Sequence, residues 1–431
     1  MIDFKKGSKK ILNAWAFYDW ANSVYSLTIV SSIFPLFIGA YIKSLGINEI
    51  PIFGIEISHT ALITYITAFG FLVVSILSPI LSGIADYKGN KKLFLRVFCY
   101  IGSFSCIGLY FFSIEHIYIS LTLYVTALVG FWGSLVFYNS YLPDIAYKEQ
   151  QDAISAKGYS LGYVGSVLLL LINLAMILSV PEENALQMMR YSFILVGLWW
   201  FGFSHYTYKY LPDFTNSKKI TSNVLWNGIN EIKSVWIELQ TQFRLKKYLI
   251  AFFVYSMAVQ TVMLVASFFG ENEIAWKEYG IDKTMGLIIS ILIIQLIAVL
   301  GAYLTSYLSN LIGNIKTLII INFIWVGICV FAYFVISPYQ FFITAGVVGL
   351  VMGGIQSLSR STYAKFLPET NDTTSYFSFY DVSEKIGIVI GMVIFATVEV
   401  ITGSMRNAIL FLVVFFLLGL VLLFKVPEKI K

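Results

Sequence analysis

Apolar residues in this chain run in long unbroken blocks, and polar ones gather in short stretches between them. The block from Ala408 to Phe424 carries no polar side chain, and the block from Leu318 to Ile336 carries one amide, Asn322. A helix needs roughly 20 such residues to cross a bilayer. The blocks predict spans near residues 15–41, 60–85, 93–113, 117–140, 157–180, 190–210, 248–270, 284–309, 316–337, 340–363, 376–402 and 406–426, twelve in all. Strands of a membrane barrel would alternate apolar and polar positions, and these blocks do not. The expected fold class is an all-α integral membrane protein.

Composition points the same way. Of 431 residues, 58% are hydrophobic and 12% charged, whereas a soluble domain carries about a quarter charged residues. The formal charge of +5 would suit a nucleic-acid binder, but its placement argues for topology instead. With twelve spans, the N-terminal tail, the even-numbered loops and the C-terminal tail share one side. They hold Lys5, Lys6, Lys9, Lys10, Lys88, Lys91, Lys92, Lys148, Lys209, Lys218, Lys219, Lys233, Arg244, Lys246, Lys247, Lys316, Lys365, Lys425, Lys429 and Lys431, while the opposite loops carry acids such as Glu49, Glu56, Glu182, Glu183, Glu271 and Glu273. By the positive-inside rule both termini are expected in the cytoplasm, with the chain multi-pass in the inner membrane of a cell.

Metal, cofactor and enzyme chemistry find little support. Cys99, Cys106 and Cys329 fall within spans, and His59, His116 and His205 show no ligand spacing. No GxxxxGK[ST] string offers an ATP site, and no nucleophile–base pair suggests catalysis. A cleavable leader is not expected either, since Asp19 interrupts the first span and no small-residue cleavage site follows. The expectation is no cofactor, no metal, no nucleic acid and a monomer in the lipid bilayer.

The longest polar stretch, about 211–247, divides the chain into a first six-helix bundle (1–210) and a second (248–431). Within it Leu225, Ile229, Ile232, Trp236, Leu239 and Phe243 recur at steps of four and three. That spacing predicts an amphipathic helix lying in the membrane interface, anchored by Arg244, Lys246 and Lys247. The bundles read as copies. Tyr138, Leu142, Pro143, Asp144 and Gly162 match Tyr363, Leu367, Pro368, Glu369 and Gly387 at an offset of 225, and Asp86 and Gly89 match Asn310 and Gly313 at 224. Small residues repeat every four positions at Gly158, Gly162 and Ser166, at Gly349, Gly353 and Ser357, and at Gly387 and Gly391. Such faces let helices approach closely in lipid, for packing or for a rocking interface between the halves.

Two groups of ionisable residues fall at membrane depth, where a charge costs roughly 2.5–3.5 kcal/mol on insertion scales. Asp19 lies nine residues beyond Lys10, roughly 13 Å along a helix, and Tyr18, Asn22 and Tyr25 are near enough in sequence to share its face. Arg360, Asp381, Glu384 and Lys385 form the second group. Asp381 and Lys385 are i, i+4 on one helix, and Arg360 is expected to reach Glu384. On that pairing Asp19 would be the unmatched acid, free to take a coupling proton or meet a substrate ammonium.

Specific strings carry a family resemblance. Gly83–Lys92, GIADYKGNKK, resembles the loop motif between the second and third spans of the major facilitator superfamily. AWAFYDWANSVYS (Ala14–Ser26), FYNSYLPDIA (Phe137–Ala146), GYSLGYVGS (Gly158–Ser166), QSLSRSTYAKFLPE (Gln356–Glu369) and SYFSFYDVSEKIG (Ser375–Gly387) narrow this to the bacterial group similar to the autophagy-linked vacuolar amino-acid effluxer of yeast. The resemblance implies two six-helix pseudo-repeats moving by alternating access. The first, fourth, seventh and tenth spans would line the cavity, making Asp19, Tyr18, Asn22, Tyr25, Trp132, Asn139, Tyr255, Gln260, Gln356, Ser359 and Arg360 its candidate wall. Asp86, with Gly83, Gly89, Lys91 and Lys92, would hold the halves together on the cytoplasmic side against a helix N-terminus. Asp381, Glu384 and Lys385 would add a gating network. In the second-half motif Tyr307 and Asn310 stand where Gly and Asp are expected, which leaves the two locks unequal. The function implied is secondary transport of a small polar or zwitterionic metabolite, an amino acid first, as proton-coupled efflux. A lipid flippase and a non-transporting receptor or scaffold are the alternatives.

Overall fold

The computed structural model describes residues 5–47, 49–52, 54–214 and 224–427. Lys218, Lys219, Lys429 and Lys431 lie outside these, as do the side chains of Leu225 and Asn227. Eleven helices among the described residues are long and apolar enough to cross a membrane: Lys9–Ser44, His59–Lys88, Lys91–Phe111, Ile117–Ile145, Lys148–Leu178, Phe243–Glu273, Lys283–Ile312, Asn314–Ala332, Pro338–Phe366, Thr373–Thr402 and Met405–Phe424. A further long helix, Glu182–Tyr210, keeps its acids in the first turn and Lys209 in the last. It packs on the first, third and fifth spans as the sixth member of its bundle. Among the described residues, six long helices thus precede the linker and six follow it.

Several helices begin earlier than their apolar blocks. The fifth starts at Lys148 rather than near 157, where the Gln150 side chain reaches back to accept the Tyr147 N–H at 3.1 Å and satisfies one orphan donor of the helix start. The apolar pattern marks the hydrocarbon edge, while backbone hydrogen bonding carries the helix past it.

The first span is not one regular helix. Ser26–Ser32 is wound as a π-helix between α-helical Lys9–Tyr25 and Ile33–Ser44. Pro35 supplies a cause: it has no N–H to donate and its ring crowds the carbonyl four residues back. The Ser32 hydroxyl donates to the Leu27 carbonyl at 2.6 Å, occupying one acceptor of the disturbed ladder. A two-stranded antiparallel hairpin, Glu49–Ile52 with Ile55–Ser58, joins this span to the second.

The small-residue faces work within each half. A Cβ on Gly349 or Gly353 would stand 2.5 or 2.1 Å from backbone carbonyls of the eighth span, Ile294 and Ala298. Gly391 meets Thr261 of the seventh span, and Gly162 meets Ser23 of the first. These stripes seat the first span on the fifth, the eighth on the tenth and the seventh on the eleventh, rather than forming a sliding surface between the halves. The seam between halves is made by the second and fourth spans against the eleventh, and the fifth against the eighth and tenth.

The linker contains a helix, Val224–Thr241, that packs along the second span. Its contact face differs from the predicted stripe. Gly228, Val235 and Leu239 are buried, whereas Ile229 and Trp236 are exposed. The reason is a backbone contact: a Cβ on Gly83 would lie 2.2 Å from the Gly228 carbonyl oxygen. Two glycines let the helices meet there, and that contact sets the rotation of the linker helix. Trp236 rests on Phe379 of the eleventh span, ring centroids 5.4 Å apart, so the linker helix touches both halves.

Candidate functional site

The terminal tail is tied to the basic loops. The Gly7 N–H donates to the Ile145 carbonyl and the Lys6 ammonium to the Pro143 carbonyl, both at 2.7 Å. Near the other end, Lys247 donates to the carbonyl of Lys425. We call this end of the bundle the terminal face.

Here Asp86, at the last turn of the second span, accepts the backbone N–H groups of Thr374 (3.2 Å) and Ser375 (2.6 Å) in the first turn of the eleventh. A carboxylate at a helix N-terminus satisfies orphan donors and meets the positive end of the dipole. Gly89 closes the second span in the left-handed region, φ 65°, which an L side chain would resist. Beside it Lys91 pairs with Asp144 and donates to Thr373 at 3.1 Å, while Lys92 holds the Leu211 carbonyl and Asp213.

The second-half counterpart is built differently. Asn310 does not cap the fifth span; instead Asp152, within that span, accepts from Ser309 (3.0 Å) and Asn314 (2.9 Å) and pairs with Lys365. One lock uses main-chain donors and the other an ion pair. That asymmetry follows from Asn standing where the first half has Asp.

Deeper in the seam lies the centre of the site. Arg360 of the tenth span places its guanidinium among acceptors of the first half. Its Nε donates to Ser155 Oγ (2.9 Å), one terminal nitrogen to Asp19 Oδ2 and Asn139 Oδ1 (both 3.2 Å), and the other to Asp19 Oδ2 (3.2 Å) and the Ser155 carbonyl (3.0 Å). A guanidinium has five N–H groups, and each has an acceptor. The faces of the fork are covered by the rings of Tyr159, 4.2 Å from the guanidinium carbon, and Trp15, 4.8 Å. Tyr138 also donates to Asp19 Oδ2, at 2.9 Å. Arg360 is 2% exposed and Asp19 4%.

This corrects the expected pairing. Arg360 holds Asp19, not Glu384, so Asp19 is not the unmatched acid. Position 360 faces the fifth and first spans, where Ser155 Oγ also donates to the Ser357 carbonyl at 2.7 Å. Glu384, on the eleventh span, accepts from Gln260 of the seventh (2.7 Å) and from Lys385 (2.8 Å). Lys385 also pairs with Asp381, as its spacing predicts, and lies 3.8 Å over the Trp132 ring; Asp381 accepts from Ser78 at 3.2 Å. Two carboxylates against one ammonium leave this second cluster at a formal −1.

The polar row around Asp19 divides. Tyr18 and Tyr25 turn into the first bundle, where Tyr18 packs 5.0 Å from the Tyr138 ring and Tyr25 4.9 Å from Phe131. Asn22 is buried and accepts from Ser23. Residues 18, 22 and 25 share a helical face, and residue 19 is turned away from it. Of the other candidates, Tyr255 bonds the Ser359 hydroxyl (2.7 Å), and Gln356 accepts from Tyr163 (2.6 Å), another bond across the seam. All the cross-seam hydrogen bonds described here lie between the terminal face and the level of Ser78 and Tyr163.

Sequence reasoning passed over Trp15, Ser155, Tyr159, Asp152 and Lys365. Asp152 had a usable signal, a carboxylate two turns past the Pro143–Asp144 corner. Trp15, Tyr159 and Lys365 gave only membership in the family strings, and Ser155 lies outside them and gave no signal.

Comparison with known proteins places these features in context. The family model described as "Vacuole effluxer Atg22 like" matches residues 7–430. An uncharacterized MFS-type transporter of Bacillus subtilis, YxiO, is 30% identical over 422 residues, covering 97% of this chain and 95% of its own. Autophagy-related protein 22-2 of Neosartorya fischeri is 24% identical, over 88% of this chain and 76% of that protein. Among solved structures, the Escherichia coli fucose:proton symporter FucP superposes with a TM-score of 0.69 at 15% identity, across 97% of this chain and 98% of that one.

Proposed function

Since the chain belongs to the Atg22-like family of major facilitator transporters, we propose that it is a secondary carrier of a small zwitterionic metabolite, an amino acid first, exported by alternating access. The observation that carries this reading is the Arg360–Asp19 pair, a cation of the second half buried against an acid of the first. Burying two charges costs several kcal/mol per ion before their attraction repays it. A pair that only stapled the halves would serve less well than packed apolar side chains. A pair that must break and re-form as the seam opens has a use, and opposite charges at one level suit a substrate bearing both.

The basic loops read the terminal face as cytoplasmic. With that face sealed by Asp86, Asp144 and Asp152, the conformation is the one in which solute would exchange with the opposite side. The coupling proton, first assigned to Asp19, fits better at Asp381 and Glu384, where the surplus negative charge lies. Lys385, Gln260 and Ser78 bond these acids and the Trp132 ring lies against Lys385, with the phenols of Tyr159, Tyr255 and Tyr380 in electrostatic reach of Glu384.

The test is counterflow in proteoliposomes, offering each of the twenty L-amino acids to vesicles loaded with the same compound. Exchange of at least one, lost in Arg360→Ala, is expected. No exchange of any amino acid by folded protein would defeat the amino-acid reading. Glu384→Gln should retain exchange yet lose the response to an imposed pH gradient.

A further inference from the structure

Every acceptor around the Arg360 guanidinium belongs to the first half. Asp19, Asn139 and Ser155 accept all five of its hydrogen bonds, while Arg360 itself rides on the tenth span of the second. When the terminal face opens, these partners withdraw together. A buried cation left with five unmet donors is costly, because nothing then repays the loss of its hydration. The fork does not change shape, however. It remains a planar donor set suited to a carboxylate, held between the Trp15 and Tyr159 rings when the seam is shut and released from them when it parts.

We propose that Arg360 is a switched carboxylate site. In the closed seam Asp19 occupies it; in the state open to the terminal face a substrate carboxylate replaces Asp19. The protein's own acid is thus an internal competitor of the substrate. Affinity is high only on the side where Asp19 has withdrawn, and closure expels the substrate carboxylate as Asp19, Asn139 and Ser155 return. The site therefore binds its solute tightly from the terminal face and weakly from the opposite one, and the solute gradient with any coupled proton sets the direction of net flux. Gly158 supports the displacement. A Cβ there would lie 2.5 Å from Asp19 Oδ2 and 3.1 Å from an Arg360 terminal nitrogen, so the fifth span leaves the carboxylate slot free of any side chain of its own. This inference rests on the carrier reading and names the chemistry of its substrate.

The experiment needs no transport. Spin labels at Lys148→Cys and Glu369→Cys, both exposed and on opposite sides of the seam, report terminal-face opening by electron–electron resonance distances. The purified full chain is measured in sodium chloride, sodium acetate, a mixture of the twenty L-amino acids, glycinamide and inorganic phosphate at equal ionic strength. The carboxylates should populate a longer distance that chloride and glycinamide do not. Asp19→Asn should open the seam in chloride and lower the half-effective carboxylate concentration about tenfold, because the competent state is no longer rare. Arg360→Lys, which keeps the charge without the fork, should abolish the carboxylate response, as should Arg360→Gln.

A seam indifferent to every carboxylate, a response to phosphate alone, or one that survives in both Arg360 variants would overturn the switched site. Counterflow that persists despite such a result would leave the carrier reading standing. A carboxylate response without any exchange would do the reverse.

Discussion

Gly158 and Asp19 are so placed that a single methyl group on the glycine would stand 2.5 Å from the aspartate's Oδ2. The fifth span comes this close to the first because nothing projects from it there. The space belongs to an ion pair whose cation reaches in from the other half of the molecule. Gly158→Ala should push the pair apart at a cost of about 1–3 kcal/mol, the range for overpacking a filled interior. Thermal unfolding in detergent measures it, with Gly202→Ala as control, since a Cβ on Gly202 meets nothing within 4 Å. Equal effects at the two sites would show that the close approach carries no weight.

Arg360 and Asp19 should show strong energetic coupling. Arg360→Gln leaves a carboxylate buried without its cation, and Asp19→Asn leaves the cation without its counter-charge. The double variant removes both charges and should be more stable than Arg360→Gln alone. A double-mutant cycle on unfolding temperature or denaturant midpoint reads the coupling, expected at about 2–3 kcal/mol. Additive losses would mean the pair is not an energetic unit.

The cluster on the eleventh span makes an ordered prediction. Lys385→Met leaves Asp381 and Glu384 facing each other without their shared cation, whereas Glu384→Gln brings the formal charge to zero. The lysine substitution should therefore destabilise far more than the glutamine, and unfolding curves of the two proteins side by side settle the order.

Asp86→Asn should loosen the terminal face without unfolding either bundle. The amide can accept from one N–H but brings no charge to the positive end of the eleventh span. A loss of about 0.5–2 kcal/mol fits a cap of this type. Faster amide exchange confined to residues 373–378 is the expected signature, and unchanged exchange there would argue that Lys91 and Asp144 hold the seam alone.

Gly83→Val should free the linker helix from the second span, because any side chain there meets the Gly228 carbonyl. Limited proteolysis should then cut within 224–241 at lower protease concentration. An unchanged digestion pattern would place the helix's anchorage elsewhere, at Trp236 and Phe379.

Much of the architecture was legible because lipid imposes one rule on every span. Apolar length alone located the helices, and the Leu-Pro-acid corners marked equivalent places in the two halves. Partnership at the site was a different matter. Asp19 and Arg360 are 341 positions apart, and charge counting can balance Arg360 against Glu384 as readily as against Asp19. The choice depends on which faces of the first, fifth and tenth spans meet, which is set by Gly158 and Ser155 rather than by the charges. The linker shows the same limit. Its four-and-three spacing revealed an amphipathic helix, but its rotation was decided by Gly228, a residue that adds nothing to an apolar stripe.

The π-wound stretch at Ser26–Ser32 has a mechanical consequence for the first span. Its hydrogen bonds close over five residues instead of four, so side chains above and below it no longer fall on one helical wheel. The lower segment is bolted to the second half through Asp19, whereas the upper segment, Ile33–Ser44, packs with the sixth span of its own bundle. Between them lies a swivel. Torque applied at Asp19 when Arg360 departs can be absorbed there as a change of winding, leaving the aromatic packing of Phe34 and Phe37 with Phe193 undisturbed.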